Sequence, residues 1–202
     1  MLDSDARPSG TERARGSRPV ADHNFFANLI WQIADLLRGP YRPPQYERVM
    51  LPMTVLRRFD CVLAPTKTKV LTEHERLKDR LTGEALDVRL NTAADQRFHN
   101  HSQLDFEKLK GDPDQIAHHL ADYIKGFSAN IRRIFEYFEF ENEIERMREA
   151  NILYLVVSKF CDVDLHPEWV PNEQMGLISR TSFAVSTSSR TKLLATISRH
   201  AK

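Results

Sequence analysis

Beyond residue 24 the apolar side chains recur at spacings of three and four, and Phe26, Leu29, Ile30, Ile33, Leu36 and Leu37 define one face of an amphipathic helix. Gly39-Pro40 stops it. A second such face, Tyr46, Val49, Met50, Met53, Leu56 and Phe59, comes after the stretch Tyr41-Arg42-Pro43-Pro44. Pro52 falls inside that helix, where a missing N–H and a ring clash with the preceding turn predict a kink or a break. Residues 67–89 are charged and helical in pattern, with a thin stripe of Leu71, Leu77, Leu81, Leu86 and Leu90 and an interruption at Gly83. Periodicity fades over residues 91–102, which read as a loop. Asp112-Pro113 pairs an N-cap residue with proline at the first helical position, so the spacing predicts a helix over 113–124, ended by Gly126. Another is predicted over 128–138, and one long helix over 142–160 with Ile144, Met147, Ile152, Leu155, Val156 and Phe160 on its face. No segment shows convincing strand alternation. The expected fold is all-α, a helical bundle with an irregular C-terminal tail. Residues 1–22 offer almost no bulky apolar side chains to offset the entropy of ordering, and predict a disordered leader.

Composition sharpens this picture little. The chain has 202 residues, room for one domain and a tail. With 41% hydrophobic and 28% charged residues it reads as globular, and seven glycines suit helices better than long loops. The formal net charge of +1 lacks the strong basic balance that announces nucleic-acid binding, so any DNA contact must be local. Cys61 and Cys161 sit in apolar surroundings and read as two buried thiols of a cytosolic protein. No secretory h-region and no stretch of about 18 uninterrupted apolar residues is present, which predicts a cytoplasmic protein without a membrane span.

Three stretches resemble the amino-terminal domain of the modification subunit of type I restriction-modification systems, the subunit that methylates adenine N6. The first runs from Leu29-Ile30-Trp31 to Leu36-Leu37-Arg38-Gly39. The second and most specific is Tyr46-Glu47-Arg48-Val49-Met50-Leu51-Pro52-Met53-Thr54-Val55-Leu56-Arg57-Arg58. The third spans 162–178 and ends Met175-Gly176-Leu177-Ile178, similar to the family's junction into its methyltransferase domain. Apolar residues at helical spacing are ordinarily just core; an internal proline beside Thr-Val-Leu-Arg-Arg is what sets the second stretch apart. The resemblance implies a division into a leader (1–22), the helical amino-terminal domain (23–178) and a tail (179–202). It implies as partners a specificity subunit, a second modification subunit and DNA. Arg48, Arg57 and Arg58 are the candidate DNA or partner contacts, against the alternative of solvated surface charge.

After Ile178 the family would continue with a Phe-Glu pair, an apolar helix and a His-Phe-Thr-Pro motif, whereas this chain turns to Ser, Thr, Arg and Lys. Loss of one nucleotide at codon 179 permits a hidden frame resembling that continuation, so the tail is expected to be out of frame and the chain a truncated subunit. The chemistry of the full-length family needs a glycine-rich loop for S-adenosylmethionine and an Asn/Asp-Pro-Pro-Phe/Tyr segment for the extruded base. Neither occurs, and Arg42-Pro43-Pro44-Gln45 reads as a turn. No catalytic, cofactor-binding or metal residue is therefore expected, and no methyl transfer by this chain alone. His99-Asn100-His101 reads as loop histidines. The adjacent His118 and His119 point about 100° apart on a helix and cannot pair on a metal. Cys161, Asp162, Asp164 and His166 match no usual structural zinc set. The leading expectation is an interaction domain that supports subunit assembly and clamping of DNA. Two alternatives stand beside it: half of a split S-adenosylmethionine-dependent methyltransferase, and an independent helical DNA-binding module.

Overall fold

The computed structural model describes residues 23–176, together with Arg180 and Ala184. The expected leader, and all of the expected tail but those two positions, lie outside the described residues. The described residues form α1 (His23–Leu37), α2 (Glu47–Leu63), α3 (Lys67–Leu77), α4 (Gly83–Ala94), α5 (Phe106–Lys110), α6 (Ile116–Lys125), α7 (Ala129–Tyr137), α8 (Phe140–Glu149) and α9 (Leu153–Cys161), with residues 172–176 also helical and no strand among them. No described helix is long and apolar enough to cross a membrane.

Three helices form the centre. α2 packs on α8 and α9; α1 and α5 lie on α9, while α6 and α7 lie on α8. The first helix buries Phe26, Leu29, Ile30, Ile33 and Leu37, as its periodicity predicts. α2 is covered on most sides, burying Val49, Met50, Met53, Leu56, Cys61 and Leu63. It runs unbroken through Pro52, which is itself buried. Packing all round the helix outweighs the one backbone bond that proline removes. Aromatic rings continue the core across elements, with Phe59 4.7 Å from Phe98, and Tyr123, Phe127, Phe135 and Phe140 in a row at 5.3, 6.3 and 6.0 Å between successive centroids.

The structure corrects the sequence reading at four places. α4 continues to Ala94, inside the segment expected to be loop, and ends when Asp95 turns left-handed at φ 53°. The helix expected from residue 113 starts at Ile116, because the Asp112 carboxylate accepts from Gln115 N at 3.3 Å and holds the intervening residues in a turn. The long helix expected over 142–160 is two, α8 and α9, separated where Asn151 takes φ 55°. The break rotates the second helix out of register with the first, and Leu155, expected in the core, is 45% exposed. The short helix α5 is an addition, started by the Asp105 side chain accepting from Lys108 N at 2.9 Å.

Candidate functional site: an arginine clamp on α2

The last turns of α2 carry Arg57, Arg58 and Cys61 toward one partner, the segment after α9, with Asp60 beside Arg57. Successive helical residues point about 100° apart, so Arg57 and Arg58 straddle that segment instead of duplicating each other. Arg57 donates from Nε to Val163 O at 2.8 Å and from Nη2 to Cys161 O at 3.1 Å. Its third arm pairs with Asp60 at 2.7 Å, and its guanidinium lies 5.3 Å over the Phe106 ring. Arg58, 8% exposed, donates from Nη1 to the carbonyls of Leu165 and Val170 and from Nη2 to Asn172 Oδ1 at 2.9 Å. Cys61 adds a thiol sulfur that accepts from Leu165 N at 3.4 Å. Residues 162–171 are irregular apart from a turn at His166–Val170, and the carbonyls of Cys161, Val163, Leu165 and Val170 accept from planar guanidinium forks that only arginine presents.

Burial sets the electrostatics of this site. Desolvation lowers the Arg58 guanidinium from its ordinary value, though it stays a cation. Desolvation likewise raises the Asp60 carboxyl, against the opposing pull of the Tyr123 hydroxyl, which donates to it at 2.7 Å, and of Arg57. Tyr123 is pushed well above the usual phenol range by its own burial and then by Asp60. The Cys61 and Cys161 thiols are both raised by burial to about 11, so these two free cysteines are poor nucleophiles.

The three arginines singled out in the sequence thus have different environments. Arg57 and Arg58 are turned inward onto the chain's own backbone. Arg48 has a side chain that is 60% exposed, its guanidinium 4.0 Å from the Glu143 carboxylate. Glu143 is buried, and its second oxygen has no hydrogen-bond partner. The structure does not bring Arg48 together with the other two.

A second polar cluster forms around His99-Asn100-His101, which the sequence marks only as loop histidines. His99 and Asn100 are 0% and 1% exposed, although they occupy a loop. Asn100 donates to Tyr123 O at 2.9 Å, and its side-chain oxygen accepts from Ser102 N at 2.8 Å. Gly126 makes this possible: a Cβ there would come within 2.8 Å of both that oxygen and Ser102 N. Lys67 reaches toward the same oxygen at 3.4 Å and lies 5.5 Å over the Tyr123 ring, and its burial lowers its pKa to about 8. Local sequence does not show their burial, because Tyr123 and Lys67 reach Asn100 from 23 and 33 positions away.

The remaining candidates have other contacts. Arg42-Pro43-Pro44-Gln45 closes a tight turn in which Gln45 Oε1 accepts from Arg42 N at 3.0 Å. His118 pairs with Asp122 one turn on, at 3.2 Å. Cys161 donates to Phe106 O, Asp162 meets Lys110 at 3.4 Å, and Asp164 accepts from His166 N at 2.9 Å. Among the described residues no group of three such ligands could hold a metal ion. Gly126, where an added Cβ would clash, faces the chain's own Ser102 and Asn100. The glycines at positive φ, Gly39 and Gly83, sit in a helix-ending turn and at a hairpin tip.

Fold and site together define a class: an all-α domain whose central helix uses buried arginines to hold down the chain that leaves it. The family described as the HsdM N-terminal domain matches residues 26–160. The chain belongs to this family, the amino-terminal domain of type I restriction-modification modification subunits. No curated protein and no solved structure matches it.

Proposed function

We propose that this chain acts as the interaction domain of a type I adenine-N6 DNA methyltransferase subunit, supporting assembly with a specificity subunit and a second modification subunit and helping the complex close on DNA. The observation that carries this reading is the clamp of Arg57 and Arg58 on residues 161–172. It fixes, relative to the bundle, the place and direction in which the chain leaves the helical domain. A domain that orients a neighbouring domain needs such a rigid exit, whereas a free-standing helical module has no use for one. On this reading Arg57 and Arg58 act by positioning, Arg48 is the arginine of α2 available to a phosphate or a partner carboxylate, and the methyl-transfer chemistry lies with S-adenosylmethionine bound elsewhere in the complex.

Co-expression of the full chain with the specificity subunit and the methyltransferase portion of its system tests this reading. The expected result is one co-eluting complex, weakened by Arg58→Ala in a variant whose circular dichroism remains helical. Failure to associate, combined with salt-sensitive duplex binding by the chain alone, would overturn the proposal in favour of an independent DNA-binding module.

A further inference from the structure

The α3–α4 hairpin differs from the rest of the molecule in how it is attached. α3 packs chiefly on α4. Leu77, the buried residue near the hairpin tip, lies outside the main core, and only Val70, Leu90 and Ala94 of the hairpin are fully buried within it. Its two roots adjoin each other. Thr66 Oγ1, between α2 and α3, lies 3.2 Å from both Leu63 O and Ala94 O, and the exit from α4 is the left-handed Asp95.

Beside these apolar contacts, a set of polar contacts fastens the hairpin to the body. The loop carrying His99 and His101 belongs to the body, tied by Ser128 N to His99 O at 3.1 Å and by His101 N to Gly126 O at 2.9 Å. On this loop the hairpin places His74, stacked 4.4 Å from the His101 ring; Asn91, 2.8 Å from His99 Nδ1; and Asp87, 3.7 Å from His99 Nε2. His99 Nε2 and His101 Nδ1 are buried with no hydrogen-bond partner.

We propose that the α3–α4 hairpin is a hinged arm, latched to the body by the His74–His99–His101 cluster and released as one unit when the buried His99 and His101 are protonated. A proton on either buried ring places a cation against the others. The charged and titratable groups facing His99 are Asp87 from α4, His101 from its own loop, His74 from α3 and Arg132 from α7; those facing His101 are His74, Arg132, Asp87 and Lys67. Asp87 alone among them favours the charged form. Burial is the largest influence on both rings and depresses both from 6.5 to about 4. A histidine depressed in the closed state gives latching that is complete above the unperturbed value and is lost as pH falls from there toward 4. The apolar core of α2, α8 and α9 has no such dependence, so the arm opens first.

Hydrogen exchange on the full chain, corrected for intrinsic rates, reads this directly. Between pH 7 and pH 4, protection over residues 67–94 is expected to fall on the order of a hundredfold more than protection over α2 and α9. His101→Phe keeps a ring against His74 but cannot take a proton, and is expected to hold the arm closed to lower pH. If that variant fails to fold, NMR titration of the wild-type imidazole Cε1–H signals decides. The proposal is overturned if His99 and His101 titrate near 6.5 while the arm stays protected, or if the arm and the α2–α9 core lose protection together.

Discussion

A guanidinium buried on neutral acceptors depends on every one of its hydrogen bonds, and Arg58 has no carboxylate among its partners. Arg58→Ala leaves two backbone carbonyls and an amide oxygen without a donor, and is expected to cost about 3 kcal/mol or more. Arg58→Lys keeps the charge but not the planar fork and is expected to cost about 2 kcal/mol, read from urea unfolding midpoints at unchanged slope. Arg57 behaves differently because it shares its charge with Asp60. Its removal takes away an influence that lowers the Asp60 carboxyl, so that carboxyl rises further. A carboxyl whose folded value lies above its unfolded one contributes stability that is present at low pH and lost as pH rises. Arg57→Ala should therefore be more destabilising, relative to wild type, at pH 8 than at pH 5.5. From sequence, these two side chains could only be read as charges on a helix, which by default are solvated or contact a partner. The acceptors that bury them lie more than 100 positions along the chain.

At the scale of elements, the helices that periodicity predicted best are those ended by residues with strong local preferences. α1 stops before Gly39-Pro40, and Gly126 caps α6 as expected. Where the terminator is a residue that merely tolerates a left-handed backbone, the pattern said less: Asn151 divides the long helix without warning, whereas the break expected between α7 and α8 is made by Glu139 at φ 49°. Glu139 occupies the position just after the α7 cap, where glycine has no steric penalty. Glu139→Gly is expected to stabilise the chain by about 0.5 kcal/mol, seen as a small rise in Tm. Gly126→Ala is the opposite case. Its backbone angle is one that any residue can adopt, but the added methyl would press on Asn100 and Ser102, at an expected cost of about 2 kcal/mol.

For the whole molecule, a net charge of +1 and one exposed arginine on α2 limit what the chain alone can do with DNA. Duplex binding by the isolated chain is expected to be non-specific, with Kd on the order of 10⁻⁴ M at physiological salt, and Arg48→Ala should reduce the slope of log K against log salt by about one. Fluorescence anisotropy across a salt series measures both. Sub-micromolar affinity in the isolated chain would point away from a domain that works within an assembly.

The sequence by itself determined the all-α class, because the period of apolar residues survives without knowledge of any contact, and it determined the family, because the proline-containing run from Tyr46 to Arg58 keeps its order whatever the packing. Only the tertiary structure decided which charges are buried, how the long helical pattern divides, and that His99 and Asn100 lie in the interior. The physical reason is the range of the interactions. Helix periodicity is a property of neighbours three and four apart, whereas burial of a polar group depends on a partner that the chain supplies from far away once it has folded.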